Sequence, residues 1–209
     1  MDAAAWTPWA EVALQVPLAY ARRGQTLAQA ALAGAKRFVE LRHYPARDVV
    51  DTRHATRAYY HAHDGATRWG PDQPPEHGHF HLFWDDPQPG THVHLVALAL
   101  DTRGQPLHWF TTNRWVTAGR WEPAAALIDR LPTFALHTRG RLAPLARWLT
   151  AMVHLFSDDL AALLQARDAA LAPYTRHQRL EAVLEDRRID ILSHCSASLP
   201  ARLQRLGLT

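Results

Sequence analysis

The stretch from Glu76 to Leu100 constrains the fold more than any other part of the chain. In EHGHFHLFW (76–84), His77, His79 and His81 alternate with Gly78, Phe80, Leu82 and Trp84. Side chains along a β-strand point to opposite faces in turn, so this period of two predicts a histidine face and an apolar core face. Asp85-Asp86-Pro87-Gln88-Pro89-Gly90 is turn chemistry and ends the run. Thr91–Leu100 resumes as a strand carrying His92 and His94, and Asp101–Gln105 is a second turn. Leu107–Trp115 reads as a further strand, continuing as a hairpin through Gly119 to Trp121. Arg57–His63, rich in tyrosine, reads as a strand ahead of a Gly- and Pro-containing loop at 64–76.

The flanks read as helical. Thr7 and Pro8 suit a helix start, Pro17 is expected to kink or break that helix, and Gly24 ends it. A second helix is expected from Thr26 to Leu41, with Leu27, Ala31 and Phe38 on one stripe. After the strands, helices are expected at 123–131, 144–156, 158–171, 178–185 and 200–206. Strands flanked by runs of helices predict an α+β fold, an antiparallel meander between N-terminal and C-terminal helices. At 209 residues the chain fits a single domain, with a helical segment at 1–45, the sheet at 55–121 and a helical segment at 123–209.

More than half of the 14 histidines lie between His54 and His94. A six-residue turn at 85–90 would pair Trp84 with Thr91, and hence His81 with His94 and Phe83 with His92. His92 and His94 would then join the histidine face, leaving Val93, Leu95, Ala97 and Ala99 on the core face. A five-residue loop at 101–105 would add His108, Thr112 and Arg114 to the histidine face, with Val96, Leu98 and Phe110 at its apolar end. Tyr59, His61 and His63 alternate in the same way. Neighbours two apart on a strand have Cα atoms about 6.5–7 Å apart, close enough for two imidazoles to share one ion. The metal triad this register predicts is His79, His81 and His94. Three neutral imidazoles with one open position suit zinc or iron, and copper and nickel also accept nitrogen ligands. Glu76, His77, His92 and His108 are candidates for orienting the ligands or transferring protons, and Arg114 for holding an anionic substrate. The function expected is a metal-dependent enzyme acting on a small molecule by hydrolysis, hydration or oxygenation. The alternatives are a non-enzymatic metal sensor or store and a histidine-triad-like nucleotide hydrolase.

Composition narrows the field. The net charge is +3 with pI near 9.4, but the arginines are scattered among acids, so no nucleic-acid partner is expected. No apolar run is long enough to span a membrane, and the first 20 residues lack the basic start of a signal peptide. Cys195 is the single cysteine, which excludes an intramolecular disulfide framework. These features predict a cytoplasmic protein. Cys195 follows His194, yet reads as a small packed thiol ahead of a nucleophile.

Three resemblances bear on these residues. EHGHFHLF (76–83), HLVALALD (94–101), NRWVT (113–117) and LEDR (184–187) resemble a family of uncharacterised bacterial proteins of unknown function, over most of the chain. That likeness implies no particular activity. HFH (79–81) followed by HLV (94–96) is similar to the zinc-binding strands of α-type carbonic anhydrases, which implies a like arrangement of ligands; the interval from His81 to His94 is shorter than in that family. His77-Gly-His79-Phe-His81-Leu-Phe83 is similar to the histidine-triad pattern of nucleotide hydrolases and transferases, which implies His79 as nucleophile. Gly78 departs from that pattern, and so does the mid-chain position of the motif.

Overall fold

The computed structural model describes residues 3–35, 39–62, 69, 74–86 and 90–208. Helix α1 (Thr7–Ala21) is followed by α2 (Leu27–Ala31) and the strands β1 (Tyr44–Asp51), β2 (Thr56–His61), β3 (Glu76–Asp85), β4 (His92–Asp101) and β5 (Pro106–Thr112). Then come α3 (Arg114–Thr117), α4 (Ala124–Arg130), α5 (Ala143–Leu155), α6 (Ser157–Thr175), α7 (Leu180–Leu184), β6 (Ile191–Ser196) and α8 (Leu199–Arg205). The six strands form one antiparallel sheet in chain order, a meander flanked by N- and C-terminal helices, so the fold is α+β as expected.

The sheet is wider than the sequence pattern indicated. β1 falls in a segment expected to be helical or connecting, and β6 lies among the C-terminal helices. Both are edge strands, and both carry the polar residues and, in β1, the proline that edges tolerate. The helix expected from Thr26 to Leu41 has only its first turns as α2. The Thr26 hydroxyl accepts from the Gln29 N–H, and the Gln29 side chain accepts in return, a reciprocal cap. Phe38, placed on that helix's stripe, lies outside the described residues. Pro17 does not break α1; the buried face of Ala10, Ala13, Val16 and Tyr20 against α5 holds the helix together. The strand expected to run to Trp115 ends at Thr112, where Asn113 caps α3.

One face of the sheet, with Phe80, Leu82, Trp84, Val93, Leu98 and Trp109, packs in the same core as α1, α5 and the start of α6. Two bulges set which residues reach which face. In β4, Leu82 pairs with Val96 but Phe83 pairs with His94, so Leu95 is the extra residue. Leu95 and Val96 both enter the core and are fully buried. This corrects the register: His81 faces Ala97, not His94, and Asp85, not Phe83, faces His92. The parity changes at the bulge, so Leu98 turns to the core while Ala97 and Ala99 join Phe110 on the other face. Burying two adjacent large apolar side chains outweighs strict alternation.

The second bulge lies at His77, between the pairs Glu76–Asp101 and Gly78–Leu100. It turns His77 towards the Tyr60 hydroxyl, 2.7 Å from Nδ1, and leaves Glu76 beside His79. The expectation that His77 shares a face with His79 and His81 is therefore overturned. Gly78 is what lets the chain pass here. A Cβ at this position would lie 2.6 Å from the His61 carbonyl oxygen and 2.7 Å from Ala62 Cβ and from the Tyr60 hydroxyl.

Candidate metal centre

β2 and β3 pair with His61 directly opposite His79 and Tyr59 opposite His81. Both pairs point away from the main core. His79 and His81 are nearly fully buried and His61 is half-buried. Each of the three offers a ring nitrogen within 4.8 Å of the others, and the Nε2 atoms of His61 and His79 are 2.6 Å apart. The three line the floor of a cleft of about 330 Å³, shared with Leu41, Thr112, Trp115, Val116 and Asp190.

Hydrogen bonds fix the rings. His79 Nδ1 contacts Glu76 Oε1, and Glu76 Oε2 accepts from the Trp69 indole N–H at 2.6 Å. A carboxylate only accepts, so the His79 proton sits on Nδ1 and its Nε2 lone pair points to His61. His81 Nδ1 lies 2.9 Å from His94 Nε2, and His94 Nδ1 lies 3.4 Å from the Thr112 hydroxyl. Burial, reinforced by the nearby Arg167 charge, lowers the His94 pKa to about 3, so His94 is neutral near pH 7. Trp69 also covers His108 and Phe110, with ring centroids 4.6 and 5.2 Å away.

The arrangement gathers some of the expected site residues and separates others. His79, His81 and Glu76 are together. His94 touches His81 from behind, and His61 takes the third place in the cluster. The period-two alternation of Tyr59 and His61 was the signal that could have promoted it. His63 lies outside the described residues. His92 Nε2 donates to the Thr117 carbonyl at 3.0 Å and packs edge-on against Phe83. His108 is held under Trp69, and burial lowers its pKa. Arg114, in α3, binds Glu181 at 2.8 Å and Glu185 at 2.9 Å and is not among the cleft-lining residues. Burial pushes the Cys195 thiol up to about 11, which suits a packed thiol and not a nucleophile.

Fold and site together define an α+β protein with a buried histidine cluster capable of holding a metal ion. Residues 8–197 match the model of the domain of unknown function DUF6969, and the chain belongs to that family. No curated protein and no solved structure matches it. These comparisons give no link to carbonic anhydrases or to histidine-triad proteins. Among the described residues, no helix is long and apolar enough to cross a membrane.

Proposed function

We propose that the chain is a metal-dependent enzyme whose ion is held by His61, His79 and His81 and which acts on a small molecule in the adjoining cleft. The observation that carries this reading is the gathering of one ring nitrogen from each of three histidines within 4.8 Å of one another, with Glu76 fixing the tautomer of His79. A carboxylate behind a ligating histidine is a recurrent support of metal centres, raising the basicity of the ring and fixing its orientation. An all-nitrogen set suits zinc or iron first, and copper or nickel next. When bound, the ion supplies Lewis acidity for hydrolysis or hydration or, if it is iron, redox capacity for oxygenation.

The chain's own residues do the rest. Glu76 keeps the His79 proton on Nδ1, away from the cluster. His94, neutral and anchored near Thr112, orients His81 from the opposite side. Leu41, Trp115 and Val116 give the cleft an apolar wall that reduces water access, while Thr112 and Asp190 give it polar groups for orienting a ligand. His77, His92 and His108 do not belong to the cluster and are read as supports of the surrounding packing. With Arg114 engaged elsewhere, the ion itself is the positive charge offered to an anionic substrate.

The test is metal content by mass spectrometry on untagged protein beside His61→Ala, His79→Ala and His81→Ala, with folding checked by circular dichroism. The expected result is one equivalent of a transition metal lost in each folded variant. Retention of that equivalent in all three would overturn the assignment. Tight binding of one ion with no turnover across hydrolytic and oxidative substrate panels would favour a sensor or store instead.

A further inference from the structure

A second group of metal-ligating side chains lies at the opposite end of β2. Asp51 is the last residue of β1 and is buried, at 6% exposure; His54 stands in the turn between β1 and β2; His137 arrives from the segment ahead of α5. His54 Nδ1 is 2.7 Å and His137 Nδ1 is 3.0 Å from the same carboxylate oxygen, Asp51 Oδ2. The two Nδ1 atoms are 3.3 Å from each other. Three donor atoms are thus arranged as a small triangle. Ligands about 2.0–2.2 Å from a first-row transition metal are spaced by roughly 2.9–3.4 Å, in octahedral and tetrahedral sites respectively.

The triangle rests on bonds that do not depend on it. Asp51 Oδ1 accepts from the backbone N–H groups of Arg53 at 3.0 Å and His54 at 3.2 Å, which sets the turn. The His137 segment is anchored by the Thr56 hydroxyl donating to the Ala135 carbonyl at 2.5 Å and by the Leu136 N–H donating to the Thr150 hydroxyl at 2.9 Å. The His137 N–H itself donates to Asp51 Oδ2 at 2.8 Å. A surface cleft formed by Val50, Thr52, Arg53, Thr138 and Arg139 with the three ligands gives access from solvent.

We propose that Asp51, His54 and His137 form a second, solvent-accessible site for a divalent first-row transition metal ion, of the two-histidine, one-carboxylate type with open coordination positions. It is separate from the histidine cluster, because β2 from Thr56 to His61 alone spans about 17 Å. An ion there would join the β1–β2 turn to the segment entering α5. The arginines in the cleft suit a small anion in the remaining positions.

The test is a titration of untagged, chelator-stripped protein with Co(II), read by its visible d–d absorption and by equilibrium dialysis, in wild type, His137→Ala and His61→Ala. His137 is 60% exposed, so its replacement leaves the fold intact, which circular dichroism verifies. The expected result is two equivalents in wild type and one in His137→Ala. Equal binding in wild type and His137→Ala, or none in wild type, would overturn the second site. An equivalent lost in His137→Ala but kept in His61→Ala supports this site while counting against the first; the reverse pattern does the opposite.

Discussion

His61 Nε2 and His79 Nε2 face each other at 2.6 Å across the β2–β3 ladder, with the far nitrogen of His79 held by Glu76. Glu76→Gln keeps the shape of the side chain but replaces a carboxylate oxygen with an amide. The predicted consequence is metal affinity lower by about 10–100-fold, or roughly 1.4–2.7 kcal/mol, with little change in the apo-protein's secondary structure. Competition against a chromophoric chelator measures this, and an unchanged affinity would remove Glu76 from the site.

Gly78→Ala is expected to be among the most damaging single-methyl additions in the protein. The new Cβ meets the backbone at His61 and the side chains of Ala62 and Tyr60, all inside van der Waals contact. Overpacking of this kind costs about 1–3 kcal/mol, or roughly 2–4 °C of Tm for each kcal/mol in a chain of this size. Because the clash pushes β2 from β3 next to His61, metal binding should weaken as well. Urea unfolding and metal titration on the same preparation check both.

Asn113 is fully buried; its amide donates to the Val183 carbonyl at 2.9 Å and its carbonyl accepts from the Arg114 N–H. In Asn113→Ala the Val183 carbonyl keeps the Asp186 N–H at 3.1 Å, but the Arg114 N–H loses its cap, for an expected loss of about 0.5–2 kcal/mol. The same change loosens α3, which carries Trp115 and Val116 into the cleft wall. Faster hydrogen exchange at 113–117 than at β4 is the signature to look for, and equal rates would argue that α3 is held by other contacts.

His154 stacks on Trp9 with ring centroids 4.1 Å apart and donates from Nε2 to the Phe134 carbonyl at 2.9 Å. Burial lowers its pKa from the ordinary 6.5, so the unfolded chain takes up this proton at higher pH than the folded protein does. Folding stability should therefore fall as pH drops through about 6.5, by at most about 1.4 kcal/mol per pH unit from this group, and level off below the folded value. His154→Gln, which retains a donor for Phe134, should flatten that part of the stability–pH curve. A slope identical to wild type would show that other groups carry the acid sensitivity.

The meander and the core strands were legible because β3 and β4 alternate apolar and polar residues between recognisable turns. What alternation alone does not reveal is where the chain abandons it. The Leu95–Val96 pair reads as one inward and one outward residue, yet both are apolar, and burying both adds a bulge that carries His94 from opposite His81 to opposite Phe83. The bulge at His77 has a clearer mark in Gly78, since a glycine within a strand signals close approach. His61 was visible as part of a period-two pattern, but its place beside His79 depends on β2–β3 pairing across a long connection. Asp51, His54 and His137 meet only in three dimensions, and no local spacing joins His137 to the other two.

Strand order that follows chain order has a consequence for how this protein acquires its histidine cluster. Glu76, His79, His81 and His94 sit on one hairpin, and His61 on the strand next to it. Contacts between neighbours in sequence form sooner than distant ones, because less chain entropy is lost in closing the loop. These side chains can therefore come together on a growing chain once β4 has been made, before α5 and α6 exist to bury the other face. An ion captured at that stage would hold β2 to β3 and act as a template for the helices that arrive later.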